Sequence, residues 1–236
     1  MKKLAFIILA TTIAFGCAEM TQVLEEVNSM SGTTTPSLTN DEVIKGLKQA
    51  LEVGTNNSTA LTSKLDGYYK NPEIFIPFPP EAIKVKEKVT ALGMASQVEK
   101  FEMTINRAAE TAAKEAAPIF VNAITSMTIA DGFAILRGGE NAATQYLIDK
   151  TSAQLKTKFN PVVKNAIEQV EVTKYWNPII STYNKIPLVE KMNPDLEDYI
   201  TTKAMDGLFL MISKEEKNIR QNPAARVTEL LKKVFA

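Results

Sequence analysis

Apolar residues recur three and four positions apart along most of the chain from Asn40 onward, and this is the period of an amphipathic α-helix. Just before the first stripe, Thr39 and Glu42 have the spacing of a capping box. In this motif, each side chain accepts a hydrogen bond from the backbone amide of the other residue at the helix start. The pattern predicts an all-α fold with one multi-helix, bundle-like domain. The clearest stripes are Val43, Leu47, Ala50 and Leu51; Phe101, Ile105, Ala108, Ala112 and Ala116; Ala143, Leu147, Thr151 and Leu155; and Leu196, Tyr199, Ile200, Ala204, Leu208 and Met211.

Glycine, proline and capping residues predict where these helices begin and end. Helices are expected at about 81–92, 95–117 and 140–159, followed by further helical segments up to the end of the chain. Thr128 to Asp131 predict the start of a short helix that ends at Gly138-Gly139. Breaks or bends are expected at Gly54 to Asn57, Pro118, Pro161, Pro178 to Pro194 and Asn222-Pro223.

Two short sequences resemble each other, Ala130-Asp131-Gly132-Phe133 and Met205-Asp206-Gly207-Leu208. A duplication is one explanation. Local helix chemistry explains both better, because aspartate satisfies amides near a helix start and glycine permits a close helix crossing.

The segment from Asn71 to Pro80 departs from the helical pattern. Its apolar core, Ile74-Phe75-Ile76, is bounded by Pro72 and Pro77. Proline cannot donate a hydrogen bond to a β-ladder, so we expect an extended strap or at most an edge strand.

The amino terminus has the layout of a secretory signal peptide. Lys2 and Lys3 precede an uncharged apolar run from Leu4 to Phe15, and Cys17 follows directly after Gly16. The run is well short of the roughly 20 residues that a membrane-spanning helix needs. We therefore expect a signal peptide at 1–16, a lipidated amino terminus and flexible tether at 17–39, and the helical domain at 40–236.

Ala14-Phe15-Gly16-Cys17 resembles the lipobox of bacterial lipoproteins, which implies cleavage before Cys17 and lipid on its thiol. Ala14 stands where leucine is usual, and the alternative is an ordinary cleaved signal with an incidental cysteine. Cys17 is the only cysteine of the chain, which favours the lipoprotein. Two or three acyl chains hold a protein firmly at a bilayer. Ala18 and Glu19 follow the cysteine, and the absence of aspartate directly after it favours the periplasmic face of the outer membrane under the usual enterobacterial sorting rule. The membrane is then a partner through Cys17.

Composition excludes several kinds of chemistry. Removal of Lys2 and Lys3 from the 27 basic residues leaves 25 against 27 acidic ones, a net charge of −2 that disfavours nucleic acid as a partner. The chain has no histidine, which excludes Ser-His triads and histidine metal sites. Beyond Cys17 it has no thiolate ligand either. We expect neither a metal nor another cofactor.

Several segments resemble, in order, the bacterial family called domain of unknown function 4197. The resemblance spans roughly Asn40 to Ala236 and implies a predominantly helical envelope protein, without supplying an activity. It rests on DGFAILRGGENAATQYL at Asp131 to Leu147, on NRAAE at Asn106 to Glu110, on the strap from Pro72 to Pro77, on KAMDGLF at Lys203 to Phe209, and on NPAAR at Asn222 to Arg226.

These segments contain a set of polar residues with two interpretations. In the structural one, Arg107 pairs with Glu110 one helical turn away and the others cap or bridge helices. In the functional one, Arg107 and Arg137 line a cleft and hold an anionic group through their bidentate guanidinium groups. The set comprises Arg107, Glu110, Asp131, Arg137, Glu140, Gln145 and Asp206.

Two functions from different classes remain. The favoured one is a non-catalytic binding or scaffold lipoprotein that takes an envelope protein or an apolar small molecule between its helices. The alternative is an envelope hydrolase with paired carboxylates, which requires two Asp or Glu side chains facing each other in a cleft and would be favoured by Asp131, Glu140 or Asp206 together in a pocket. An enzyme is thus the less favoured class. Trp176 is expected in the core rather than at a partner or lipid interface.

Overall fold

The computed structural model describes residues 39–169, 172–189 and 196–234. The chain divides into two units, Met1–Ser37 and Leu38–Ala236, and the described residues all belong to the second. The predictions for the signal peptide, for Cys17 and for the tether therefore lie outside the described residues.

The described part of the chain is all-α and contains no strand, as the sequence predicts. Short 3₁₀ turns at Pro80–Ala82 and Pro223–Ala225 connect some of the helices. In chain order the helices are α1 (Asn40–Ser63), α2 (Ile83–Ala91), α3 (Ala95–Ala113), α4 (Ala116–Thr125), α5 (Ile129–Arg137), α6 (Ala142–Gln169), α7 (Val172–Asn184), α8 (Leu196–Gln221) and α9 (Glu229–Val234).

The two long helices α6 and α8 pack along each other and form the largest helix pair. Helix α1 covers α8 and contacts α4, while α3 packs against α6, α7 and α8. Three aromatic rings join α3, α7 and the strap: Trp176 stacks on Phe101 at a centroid distance of 4.6 Å and lies 5.5 Å from Phe78. Trp176 is buried, which confirms the prediction of a core aromatic.

Both predicted capping boxes are present. At α1, the Glu42 amide donates to Thr39 Oγ1 (3.2 Å) and the Thr39 amide donates to the Glu42 carboxylate (2.9 Å). At α5, the Asp131 amide donates to Thr128 Oγ1 (3.1 Å) and the Thr128 amide to the Asp131 carboxylate (3.0 Å). Gly138 then ends α5 as predicted.

The predicted break at Gly54 to Asn57 is wrong, because α1 continues to Ser63. Gly54 faces α8, where a Cβ atom would lie 3.6 Å from the Glu215 Cβ. The next residue, Thr55, is buried and donates to the Leu51 carbonyl within the helix (2.8 Å). Packing of this small-residue face on α8 outweighs the roughly 1 kcal/mol that glycine costs inside a helix.

The prolines interrupt the helices less than the sequence predicts. Helix α3 ends at Ala113 rather than near 117, and Pro118 is the third residue of α4, where an amide has no partner within the helix anyway. Pro161 lies inside the continuous helix α6 between the buried residues Phe159 and Val163. Pro178 likewise lies inside α7 rather than in a break. Burial on both sides offsets the hydrogen bond that each internal proline removes.

No described helix by itself is both long enough and apolar enough to cross a bilayer; only the strongly bent pair Ala95–Thr125 and Ile129–Arg137 meets those criteria jointly, by length and composition.

Candidate functional site

The strap from Asn71 to Pro80 has no strand, and side chains from α3 hold it in place. Asn106 is fully buried and pairs with the strap as a second backbone would. Its Oδ1 accepts the Ile76 amide (2.8 Å) and its Nδ2 donates to the Ile76 carbonyl (2.9 Å). This anchor buries Ile74, Ile76 and Phe78. A Pro-bounded segment without helix or strand is confirmed for residues 75–79, but the first part is not extended as predicted: residues 72–74 form a turn, in which the Ile74 and Phe75 amides donate to the Asn71 carbonyl (3.2 and 2.8 Å).

The predicted pair Arg107 and Glu110 forms a structural clamp just before the strap. Glu110 Oε1 accepts the amides of Tyr68 (3.1 Å) and Tyr69 (3.2 Å), and its Oε2 accepts from Arg107 (2.7 Å). Arg107 also donates to Asp66 Oδ1 (2.5 Å), and its guanidinium lies 5.4 Å from the Tyr69 ring centroid. The Glu110 side chain is only 6% exposed. The clamp thus orders the turn between α1 and the strap.

The electrostatics of this turn follow from the same contacts. Lys70 and Arg107 both hydrogen-bond to Asp66 and hold the pKa of its carboxyl below the usual range. Asp66 has a φ of +65°, a left-handed conformation that aspartate tolerates better than most residues. The Tyr68 hydroxyl donates to the Ala204 carbonyl in α8 (2.6 Å), and burial raises its pKa far above the ordinary value.

A second buried carboxylate organises the amino-terminal end of α6. Glu216 in α8 accepts the Ala143 amide (3.0 Å), the Thr144 amide (2.8 Å) and the Thr144 hydroxyl (2.8 Å). Arg220, one turn later, donates to the same carboxylate (2.9 Å) and to the Ile135 carbonyl in α5 (3.1 Å). Anions are stabilised at a helix amino terminus, where backbone amides lack partners.

Glu216 and Arg220 were not among the predicted site residues. One signal could have found them: Glu216 continues the apolar stripe of Leu208 and Ile212 and precedes Ile219, so a charge occupies a buried position. The pair borders a cavity of about 30 Å³ that is otherwise apolar. That volume is too small for an organic ligand.

The other predicted residues occupy separate positions. Asp131 caps α5, and its hydrogen bonds from the Thr128 side chain and backbone lower its pKa. Arg137 lies over the Phe133 ring at 5.5 Å. Glu140 pairs with Lys217 (3.6 Å) and accepts from Gln221 (3.0 Å).

Gln145 and Asp206 line a groove of about 720 Å³ between α6 and α8. Two stripes of side chains line it: Gln145, Ile148 and Ser152 on α6, with Asn141 in the turn just before that helix, and Thr202, Asp206, Phe209 and Ser213 on α8. Both stripes repeat at intervals of four, three and four residues, the spacing by which one helix presents a seam to another element. We call this site the α6–α8 groove.

The lining of the α6–α8 groove combines apolar and polar side chains. Ile148, Phe209 and the 40% exposed Leu210 are apolar, while Ser152, Thr202 and Ser213 supply hydroxyl groups. Lys156, which also lines the groove, pairs with Asp198 at 2.7 Å.

The structure does not bring the predicted polar residues into one cluster. Neither the groove nor the small cavity is lined by Arg107 or Arg137, and among the residues that the structure describes Asp206 is the only carboxylate lining the groove. Within the described residues, no group of three or more histidine, cysteine, aspartate or glutamate side chains is placed to hold a metal ion.

Comparisons with known proteins give one match. The family model described as "Protein of unknown function (DUF4197)" matches residues 37–236. No curated protein and no solved structure matches the chain. The match covers the whole described part of the chain, so the strap, the Glu216 contacts and the α6–α8 groove all fall within it.

Proposed function

This chain belongs to the DUF4197 family of proteins of unknown function, and from that premise we propose that it is a lipid-anchored envelope protein that binds an apolar or amphipathic small molecule in the α6–α8 groove. No chemical change of the ligand is part of the proposal. The observation that carries it is the groove itself, whose lining combines apolar side chains with hydroxyl and amide groups.

The anchoring part of the proposal rests on the sequence. A charged start, an apolar run too short to span a bilayer and Cys17 directly after Gly16 are the features of an exported, lipidated protein. Ala18, rather than aspartate, directly follows Cys17 and is followed by Glu19, which favours retention at the outer membrane, on its periplasmic face.

The size and lining of the groove support the binding part. Small-molecule sites occupy about 300–1,000 Å³ and are mostly apolar with a few polar groups that orient the ligand. The groove has about 720 Å³, within this range, and its lining includes the apolar Ile148, Met205, Phe209 and Leu210 together with polar groups that could orient a ligand. A ligand lying along it would contact Ile148 and Leu210 with its apolar portion and Ser152 or Thr202 with its polar groups.

Carboxylate-dependent hydrolysis is less well supported. That chemistry needs two carboxyl groups on opposite sides of the scissile bond, about 5–9.5 Å apart. Asp206 has no second carboxylate beside it among the residues lining the groove, and Asp131 and Glu140 line neither the groove nor the cavity.

Anchoring is tested by labelling growing cells with radioactive palmitate. We expect label in the wild-type protein and none in Cys17→Ser, which keeps the rest of the signal. An exported but unlabelled wild-type protein would contradict the anchor.

Binding is tested by native mass spectrometry, with solvent extraction, on protein purified from envelope fractions. Leu210 lines the groove and Ile83 does not, yet both side chains are 40% exposed, so they form a matched pair. We expect a co-purifying small molecule in the wild type and in Ile83→Asp but not in Leu210→Asp. If the wild type carries no ligand, or if both variants retain it, the groove is not the binding site. Crosslinking in cells would then test for a partner protein.

A further inference from the structure

The most apolar part of the described chain lies partly at the surface. Residues 116–136 contain one charged residue, Asp131. Two apolar side chains in this stretch are nevertheless solvent-exposed, Val121 to 43% and Ile129 to 51%. The other large apolar side chains of this stretch are buried or half-buried.

Helix α5 shows this most clearly. Its inner side packs closely, because Gly132 lies directly against the Ile44 side chain of α1 and Ile135 is buried. Its outer side carries Ile129, Ala130, Ala134 and the half-exposed Phe133. An ordinary surface helix would place polar residues on that side. We call this outer side the α5 face.

Basic residues flank the α5 face. Arg137 lies over the Phe133 ring, and Lys48 donates to the Thr125 carbonyl (2.7 Å) just before α5 begins. Lys150 is close enough to Asp131 to contribute to its lowered pKa, after the hydrogen bonds from Thr128. Lys150 also lies 5.7 Å from the ring of Tyr146.

Among the residues that the structure describes, three carboxylates lie near these basic residues, and each accepts a hydrogen bond within the domain: Asp131, Glu140 and Asp149, the last from Gln145 (2.7 Å). Asp131 is engaged in the capping box of α5, and Glu140, beyond its carboxyl end, pairs with Lys217 and accepts from Gln221. The α5 face therefore presents apolar side chains beside the basic residues Arg137, Lys48 and Lys150, while the neighbouring carboxylates are already hydrogen-bonded within the domain. Amphipathic helices that lie in a membrane interface have this composition.

We propose that the α5 face docks on an anionic lipid surface and so orients the domain on the membrane to which Cys17 anchors it. The inference rests on the proposed lipid anchor, because a single short helix with so few apolar side chains would not hold a protein at a bilayer alone. A lipid on Cys17 fixes one end of the chain but selects no face of the domain. The apolar and basic groups of α5 supply that selection.

The experiment uses the mature, lipidated protein in vesicles that contain phosphatidylglycerol. Cys17 is the only cysteine of the chain, so once it is acylated, an Ile129→Cys substitution introduces the only thiol that an environment-sensitive fluorophore can label. Leu65→Cys is the matched control. Leu65 is 75% exposed and follows the far end of α1, about 28 Å along the helix from Ile44.

We expect the emission of a label at position 129 to shift to shorter wavelength on anionic vesicles and that of a label at 65 to remain unchanged. Arg137→Gln combined with Lys150→Gln should reduce the ratio of docked to undocked molecules roughly thirtyfold, since each basic residue near an anionic surface contributes about fivefold. In vesicles of phosphatidylcholine alone, this double variant should not differ from its parent.

The outcomes separate the two proposals. If the protein sediments with vesicles but neither label shifts, or if both shift equally, docking through the α5 face is excluded while the anchor stands. If the protein stays in solution and Cys17 itself takes up the fluorophore, the anchor is wrong. A shift at position 129 that requires an envelope protein, and not lipid, would overturn the membrane proposal in favour of a protein partner.

Discussion

Replacing Glu216 with alanine should destabilise the domain strongly, because one carboxylate satisfies three donors at the start of α6 and also pairs with Arg220. The Glu216 side chain is 7% exposed and that of Arg220 is 18% exposed. The substitution leaves two helix amides and a largely buried guanidinium without their acceptor.

The magnitude follows from this burial. Loss of one partner of a buried ion pair costs about 3–5 kcal/mol, because the remaining charge is left uncompensated. The separate hydrogen bonds are part of this figure and are not added to it. Domains of this kind are stable by about 5–15 kcal/mol, so Glu216→Ala should lose a large part of the total.

Glu215→Ala is the matched control, because it makes the same change one residue earlier in α8. Glu215 is half-exposed and accepts one hydrogen bond, from Asn57 (3.2 Å). We expect it to cost no more than about 1 kcal/mol. The helix propensity change is identical in the two variants and cancels in the comparison.

The assay is urea unfolding followed by far-ultraviolet circular dichroism on both variants and the wild type. We expect the midpoint of Glu216→Ala to fall well below that of Glu215→Ala at similar slope. Equal midpoints for the two variants would refute the conclusion that the buried carboxylate organises this end of α6.

Three further predictions concern single positions. Gly207→Ala places a Cβ 2.8 Å from the Tyr68 ring and 3.1 Å from the Ile74 Cβ, so we expect a net loss of about 1–2 kcal/mol in thermal unfolding, whereas Gly139→Ala, with open space around it, should be nearly neutral. Thr128→Ala removes a side-chain cap of α5 and should cost about 1 kcal/mol in the same measurement. Asp66→Asn tests the lowered pKa of the Asp66 carboxyl. The melting temperature of the variant should lie below that of the wild type by a constant amount above the ordinary range of aspartate pKa values, and this difference should vanish as pH falls through the lowered pKa of the folded state. A difference that persists in acid would contradict the role of the charge.

The sequence predicts local features of this fold well. The capping boxes at Thr39 and Thr128 are confirmed. They could be predicted because their residues lie three positions apart, and the backbone at a helix start fixes the geometry of such a pair. The Arg107–Glu110 pair is confirmed for the same reason. The close helix crossing expected at Gly132 is also present.

The errors arise where tertiary packing outweighs local propensity. Gly54 and Pro178 lie inside continuous helices because residues around them are buried against other elements, and the periodicity of one helix does not show such contacts. The α6–α8 groove could not be predicted either. Its two stripes, around Gln145 and Asp206, are about 60 residues apart, and periodicity alone does not say which helices become neighbours.

The anchoring of the strap by α3 has a consequence for hydrogen exchange. The amides of Tyr68, Tyr69 and Ile76 belong to no helix or ladder, yet they donate to the buried carboxylate of Glu110 and the amide oxygen of Asn106. They can reach solvent only when α3 releases them. These amides should therefore exchange as slowly as those of the core helices. Although they belong to a segment without regular structure, their exchange rates would report the opening of α3.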